Sequence, residues 1–168
     1  MHTFQTMPIK LLEFNPFTKI GKELALVTAG TRDNANTMTI GWGGFGVLWG
    51  KNVAFIFIRD SRYTKELLDK YDFFSITFLG EKYKDALDYC GSHSGRSENK
   101  IDNAYLTLAA RHGIPYIDEG NFVLLCKKMA ATKLTEDDFI SRSIQHKWYE
   151  EGDYHTMYVA ELIEVLAR

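Results

Sequence analysis

Apolar and polar positions alternate along several segments of the chain, and this period of two predicts a protein built mainly from β-strands. The clearest case is Thr37–Trp42, where Met38, Ile40 and Trp42 alternate with smaller or polar residues. Asn52–Arg59 is apolar on both faces, which is typical of a strand with neighbours on both sides. The predicted strands are Glu23–Ala29, Thr37–Trp42, Asn52–Arg59, Phe73–Leu79, Phe122–Ala131 and Tyr154–Val165.

Three segments between these strands carry helical signals. Ser61–Tyr71 and Lys82–Cys90 have apolar residues three and four positions apart, which places them on one face of a helix. Thr135–Ile140 begins with a threonine and three acidic residues, a pattern typical of a capped short helix. Because helices interrupt the strands in only a few places, we expect a mainly β protein, a closed antiparallel β-barrel with peripheral helices.

The length of 168 residues suits one domain, and we expect a single domain over residues 1–168, with residues 1–20 as a leader packing on the barrel. The formal net charge of −2 disfavours a nucleic-acid partner. The longest mostly apolar run, Val53–Ile58, is too short to cross a membrane, and no secretion signal is visible. Cys90 and Cys126 are too few for a disulfide framework, so we expect a cytoplasmic protein.

The glycine-rich stretch Gly41–Gly46 has the spacing of a dinucleotide-binding loop, but its surroundings argue against one. Such a loop requires a helix to begin at its third glycine, so that the helix amides can bind a pyrophosphate. Here the chain continues into the strand Asn52–Arg59. We therefore interpret the stretch as a flexible connection between strands, where missing side chains let a flat ligand approach the backbone.

Two further patterns match catalytic or metal sites only in part. Gly91–Gly95 has the glycines of a hydrolase nucleophile elbow, but its middle residue is His93, where serine is required. Cys90 and His93 have the spacing of half a metal site, and no second pair supplies the other half. We expect no metal site, and we nominate no catalytic side chain.

A polar segment after the third predicted strand is the strongest local signal for a ligand. Arg59 and Arg62 supply charge, Ser61 and Thr64 supply hydroxyl donors, and a helix starting near Ser61 would present free amides to an anion. The alternative is that Ser61 only caps the helix and that the arginines are solvated. The loop Ser94–Lys100 repeats the combination of hydroxyls and cations, with an ordinary polar loop as its alternative. Together the two loops would suit a ligand with one phosphate and an aromatic body.

Three ordered motifs resemble the flavin reductase-like, FMN-binding split-barrel proteins, in particular their flavoredoxin branch. The motifs are residues 36–43 followed by Gly46 and Trp49, then Arg59–Thr64, then Tyr89–Gly91 followed by Ser94–Arg96 and Lys100. The resemblance runs from about residue 20 to the C-terminus. It implies a six-stranded antiparallel Greek-key split barrel of the FMN-binding type, which forms a homodimer with non-covalent FMN near the dimer interface.

The resemblance also implies roles for individual residues, in three groups. Those lining the isoalloxazine ring would be Thr37, Met38, Thr39, Ile40 and Trp42; those holding the ribityl phosphate would be Arg59, Ser61, Tyr63 and Thr64; those forming an opposing loop would be Cys90, Ser94, Gly95 and Lys100. Within the opposing loop, Lys100 would be directed at the phosphate.

One departure from the family pattern concerns the electron donor. Flavin reductases of the wider family carry Gly-Asp-His near the C-terminus, whereas this chain reads Gly152-Asp153-Tyr154-His155, which degrades the motif associated with nicotinamide use. The resemblance thus implies an FMN-dependent oxidoreductase that takes electrons from NAD(P)H or a redox protein. The alternative is an FMN-containing electron carrier without NAD(P)H turnover of its own.

Overall fold

The computed structural model describes residues 2–168, and its main element is an eight-stranded sheet in which every pairing is antiparallel. Its strands are β1 (Gln5–Met7), β2 (Ala25–Gly30), β3 (Ala35–Ile40), β4 (Gly43–Leu48), β5 (Lys51–Arg59), β6 (Phe73–Phe78), β9 (Phe122–Lys133) and β10 (His155–Ala167), and a separate hairpin consists of β7 (Leu108–Arg111) and β8 (Ile114–Ile117). The order is β3-β2-β6-β9-β10-β5-β4, with β1 on β10. The mainly β fold class is therefore confirmed.

The predicted strands are all present, and their ends differ from the prediction by no more than two residues. The main sheet has eight strands instead of the expected six, because it also contains β1 and β4, which were not predicted. Strand β1 lies in the expected leader, where Thr6 pairs with Leu166 of β10. Farther along the leader, the Phe14 ring stacks on the Phe122 ring, with centroids 5.7 Å apart. The leader thus packs on the sheet through a strand as well as through side chains.

Residues 43–46 of the glycine-rich stretch belong to a strand, so the interpretation of the stretch as a flexible connection was wrong. Strand β4 pairs along its whole length with β5, and Trp49 and Gly50 form the turn between them, both with positive φ. At Gly43 the φ is +155°, and a Cβ would lie 2.5 Å from the Phe55 carbonyl oxygen, so only glycine fits. Glycines conceal the period of two because they carry no side chain that could mark a face.

Within residues 2–168, five α-helices surround the sheet, and two of them were predicted. They are α1 (Pro16–Gly21), α2 (Tyr63–Lys70), α3 (Lys84–Ser92), α4 (Lys100–Asn103) and α5 (Arg142–Tyr149). Helix α2 begins two residues later than predicted, and α3 continues through Gly91 to Ser92. The predicted helix Thr135–Ile140 shortens to a 3-10 turn over Glu136–Asp138, although the Thr135–Asp138 capping box is present.

The core lies inside the curved sheet, with a second apolar layer beneath α3. The inner layer includes Ile58, Phe74 and Ile76, all fully or almost fully buried, and Leu26 with Cys90 belongs to the layer under α3. Burial of this kind removes apolar surface from water and fixes the positions of the strand ends. These strand ends carry the polar segments that the sequence singled out.

The segment between β9 and β10, residues 134–154, is called the strap below. It contains α5 and crosses the ends of β3 and β5 before it enters β10. In the part of the chain that the structure describes, no helix is both long and apolar enough to cross a bilayer.

Candidate functional site

Two cavities that share lining residues form one groove at the ends of β3 and β5. The cationic cavity, of about 180 Å³, is lined by Asn36, Met38, Arg59, Ser61, Arg62, Tyr63, Thr64, Ser92, His93, Ser94, Gly95, Lys100 and Asp153. The aromatic cavity, of about 230 Å³, is lined by Met38, Thr39, Ile40, Gly41, Trp42, Phe57, Arg59, Arg62, Trp148 and His155. Met38, Arg59 and Arg62 line both cavities. The two predicted polar loops therefore meet at one end of the groove, and four of the five residues predicted to line a ring lie at the other.

Lys100 is a buried cation at the first position of α4, and it lines the cationic cavity. Its exposed fraction is 3%, and its Nζ donates a hydrogen bond of 2.8 Å to the Cys90 carbonyl oxygen. Within residues 2–168 no carboxylate forms an ion pair with it. Burial lowers the pKa of Lys100, because the charged form loses its hydration. Burying an ammonium without a counter-ion is costly, so an anion bound in the cavity would stabilise the charged form of this side chain.

Arg59 and Arg62 bring two more charges to the same cavity, and backbone carbonyls orient both. Arg59 ends β5 and donates to the carbonyl oxygens of Asp153 and Trp148, at 2.9 and 3.1 Å. Its guanidinium also lies 5.1 Å from the centroid of the Tyr149 ring. Arg62 donates to the Gly91 carbonyl oxygen at 2.9 Å. Neither arginine has a carboxylate partner among the described residues, so their positive charges remain available.

Ser61 does not cap a helix, which was one part of the alternative that the sequence left open. Helix α2 begins at Tyr63, its N-cap position is Arg62, and no side chain accepts from the helix amides there. The Ser61 hydroxyl donates instead to Asp153 Oδ2 at 2.7 Å, and the Ser61 amide donates to Asp153 Oδ1 at 2.9 Å. The Ser61 donors thus bind a carboxylate of the strap.

Gly95 and Thr64 form the far wall of the cationic cavity through their contact with Asn36. A Cβ on Gly95 would lie 2.1 Å from Asn36 Oδ1, so any larger residue would displace the Asn36 side chain. Asn36 is itself buried and donates through Nδ2 to Thr64 Oγ1 at 2.8 Å. The loop after α3 can approach β3 this closely only because residue 95 is glycine.

The aromatic cavity is walled by Trp42, Trp148 and His155. The Trp42 and Trp148 rings meet edge to face at 4.9 Å between centroids, and the Trp42 ring lies 5.2 Å from the His155 ring. Met38 and Ile40 complete the wall from β3, and Thr39 is fixed by a hydrogen bond from its Oγ1 to the Leu87 carbonyl oxygen at 2.5 Å. Flat aromatic and apolar walls of this kind suit a planar ring ligand.

Two of the residues predicted for the site do not line either cavity. Thr37 is fully buried, and its Oγ1 donates to the Val27 carbonyl oxygen at 3.2 Å. Cys90 is also fully buried, and burial raises the pKa of its thiol to about 11. Its backbone still contributes, because the Cys90 carbonyl orients Lys100. No cluster of three metal-ligating side chains occurs in residues 2–168.

His155 is neutral at neutral pH and lies beside the aromatic cavity. Burial is the main cause and the nearby charge of Arg59 the second, and together they lower the pKa of His155 to about 4. Its Nδ1 lies 2.7 Å from the Tyr149 hydroxyl oxygen, which fixes the ring. An imidazole held in this way offers hydrogen bonding to a ligand without adding charge.

Sequence reasoning missed the lining residues that the strap contributes, chiefly Trp148 and Asp153. They reach the groove only because the strap folds back, and Asp153 meets Ser61 across 92 positions of sequence. Asn36 was also missed as a lining residue, although it opens the first motif. For Asn36 the signal was local, because it is the first residue of the motif over residues 36–43.

The family model described as flavin reductase like domain matches residues 17–167, which is nearly the whole chain. The chain belongs to this family. No curated protein sequence matches it significantly.

Solved structures with similar folds agree with membership of the flavin reductase-like family. Flavoredoxin from Methanosarcina acetivorans is 22% identical, with 87% of this chain and 68% of that chain covered and a TM-score of 0.67. An FMN-binding protein from Thermus thermophilus with bound p-hydroxybenzaldehyde is 20% identical, with coverages of 100% and 82% and a TM-score of 0.69. An NADH:FAD oxidoreductase from Streptomyces globisporus is 17% identical, with coverages of 85% and 73% and a TM-score of 0.63. These likenesses confirm the split-barrel fold, while the roles implied for individual residues remain predictions.

The residues that depart from the Gly-Asp-His pattern of the family lie at the end of the strap and the start of β10. Tyr154 stacks on Tyr149, with centroids 4.8 Å apart and an interplanar angle of 14°, and it lines neither cavity. His155 lines the aromatic cavity, and Asp153 lines the cationic one. Tyr154 thus lies between the aspartate and the histidine, which line different cavities.

Proposed function

We propose that this member of the flavin reductase-like family is an FMN-binding oxidoreductase of the flavin reductase or flavoredoxin type. It would transfer electrons through non-covalent FMN, from NAD(P)H or a redox protein to an acceptor. The observation that carries the proposal is Lys100, a buried cation without a carboxylate partner, at one end of a groove whose other end is aromatic. This combination matches a ligand with an anionic head and a planar apolar body.

The charges that line the cationic cavity support a phosphate monoester in particular. Arg59, Arg62 and Lys100 face a single carboxylate, that of Asp153, so the cavity carries an excess of positive charge. A phosphate monoester carries a charge of about −1.5 to −2 at pH 7, which would balance that excess. Arginine can bind phosphate oxygens with two parallel hydrogen bonds, and the first amides of α2 lack partners within their own helix.

The aromatic cavity would hold the isoalloxazine ring between strand β3 and the strap. Met38, Ile40 and Trp42 would contact the ring face, while Trp148 would exclude water from the outer side. Bound flavin supplies the redox chemistry, accepting and passing on electrons. The protein would bind and orient the ring, and the neutral His155 would offer it a hydrogen bond.

Titration of the purified protein with FMN and with riboflavin tests the proposal, followed by anaerobic addition of NADH and of NADPH. We expect FMN to bind more tightly than riboflavin, because only FMN carries the phosphate. Rapid bleaching of the flavin band by a nicotinamide would support an enzyme that uses NAD(P)H. A protein that cannot be reconstituted with FMN would contradict the proposal.

An electron carrier without NAD(P)H turnover of its own is the second candidate. It is favoured by the altered C-terminal motif, in which Tyr154 stacks on Tyr149 and the aspartate and histidine face different cavities. In this case the nicotinamides would leave the flavin band unchanged, and only a redox protein or dithionite would bleach it.

We also propose a cytoplasmic location, since both cysteines are buried and free of disulfide bonds.

A homodimer is proposed as the working form of the protein. Val47 and Trp49 of the β4–β5 hairpin are 73% and 62% exposed, and Trp49 occupies a left-handed turn position that tryptophan rarely adopts. Exposed apolar residues on an edge hairpin are typical of a surface that another chain covers. Sedimentation should give a dimer, and a monomer that still holds FMN would contradict this proposal.

A further inference from the structure

One residue of the strap, Asp153, already occupies hydrogen-bond donors that a bound phosphate would need. Its carboxylate accepts from the Ser61 amide at 2.9 Å and from the Ser61 hydroxyl at 2.7 Å. Its carbonyl oxygen accepts from Arg59 at 2.9 Å. A carboxylate held by a backbone amide and a hydroxyl occupies the place of an anion, because phosphate oxygens bind the same kinds of donor.

The backbone around Asp153 is arranged to present this carboxylate. Asp153 has φ +52°, in the left-handed region, and the preceding Gly152 has φ +79°. Aspartate and asparagine tolerate this region better than most residues. Among residues 2–168, no lysine, arginine or histidine forms an ion pair with the Asp153 carboxylate. The carboxylate is thus held by Ser61 and not by a cation, which leaves it free to exchange with a more highly charged anion.

We propose that Asp153 is an internal competitor that determines specificity for phosphate: the phosphate of the ligand displaces its carboxylate from Ser61. The inference rests on the proposed function, because it takes the cationic cavity to bind the phosphate of FMN. A dianionic phosphate is attracted by Arg59, Arg62 and Lys100 together, so it displaces the carboxylate. Riboflavin, which carries no charge at this end, leaves Asp153 in place.

The test compares Asp153→Asn with the wild-type protein in titrations with FMN, riboflavin and inorganic phosphate. Asparagine keeps the tolerance for positive φ and can still bond to Ser61, but it removes the competing charge. We expect FMN to bind at least about threefold more tightly to the variant, riboflavin to bind unchanged, and inorganic phosphate to become a better competitor of FMN. Glu151→Gln is the matched control, because Glu151 is an exposed carboxylate on the same strap that lines neither cavity.

Weaker or unchanged FMN binding by Asp153→Asn would overturn the inference and would make Asp153 a residue that positions Ser61. A tightening of similar size in Glu151→Gln would assign the effect to net charge and would also overturn the inference.

Hydrogen exchange on the wild-type protein gives a second measurement, independent of whether the variant folds. Residues 148–154 should exchange faster with FMN than with riboflavin, and equal exchange would count against displacement. If the wild-type protein takes up neither flavin, the proposed function fails as well; if it takes up FMN normally, only this inference is at stake.

Discussion

Replacing Lys100 with methionine should weaken FMN binding by about 10- to 100-fold while changing riboflavin binding by less than about threefold. Lys100 has no carboxylate partner in the described part of the chain, so the variant removes a charge without leaving an opposite charge unpaired. Methionine has a similar length and fits the buried site. Titrations of the variant and the wild-type protein with both flavins measure the effect directly.

The same substitution should leave the free energy of unfolding of the flavin-free protein within about 1 kcal/mol of the wild-type value. The hydrogen bond to the Cys90 carbonyl is lost, but the cost of burying an unpaired ammonium disappears with it. A large loss of ligand affinity with little change in stability is typical of a binding residue. A purely structural lysine would show the reverse.

Lys128→Met provides the matched control. Lys128 is also partly buried, donates to a backbone carbonyl, that of Leu68, and has a pKa lowered by burial. It lines neither cavity, so its variant should bind FMN as the wild-type protein does. If Lys100→Met weakens FMN and riboflavin binding equally, the phosphate does not lie at Lys100. Arg59→Ala would be a less decisive variant, since Arg59 also holds the strap through Trp148 and Asp153.

The pH dependence of FMN binding gives Lys100 a further signature. Because burial lowers its pKa, Lys100 begins to lose its proton at a pH below the ordinary value for lysine of about 10.4. FMN affinity should therefore decrease as the pH rises through this lowered pKa, while riboflavin affinity should not show the same decrease. In Lys100→Met this difference between the two flavins should be absent.

The parts of the site that lie within one segment were predictable from the sequence. The alternation of Met38 and Ile40 identified β3, and Arg59–Thr64 combined charges and hydroxyls at the end of a strand, where helix amides are free. These signals are local, because both the period of a strand and the chemistry of a loop can be recognised from consecutive residues. Family resemblance added Lys100, whose burial no pattern of charge would suggest.

The contribution of the strap could not be predicted in this way. Trp148 and Asp153 reach the groove through contacts with Arg59 and Ser61 that span 89 to 94 positions of sequence. Such contacts depend on how β9 and β10 pair and on where the connection between them folds back. The β4 strand was hidden for a different reason, since three of its six residues, Gly43, Gly44 and Gly46, carry no side chain that could mark a face. The strap residues were therefore missed because their position depends on tertiary structure, and β4 was missed because its glycines carry no side chains.

His155 should make the protein less stable in mild acid, by about 2–3 kcal/mol between pH 7 and pH 4. Burial and the charge of Arg59 lower its pKa to about 4 in the folded protein, whereas the unfolded chain has the ordinary value of about 6.5. Between these values the unfolded state binds more protons than the folded state, so the free energy of unfolding falls as the pH falls. The stabilisation is fully present above about pH 6.5 and is lost progressively toward pH 4.

Urea unfolding of the wild-type protein and of His155→Asn from pH 4 to pH 8 measures this contribution. Asparagine can accept a hydrogen bond from the Tyr149 hydroxyl, as Nδ1 can, but it does not titrate. The variant will be less stable at pH 7, because the packing against Trp42 is reduced, yet it should lose about 2–3 kcal/mol less between pH 7 and pH 4. His146→Asn, at an exposed position of the strap, should keep the wild-type pH dependence. An unchanged dependence in His155→Asn would mean that the pKa of His155 is about the same in the folded and the unfolded chain, so that burial does not keep the imidazole neutral in mild acid.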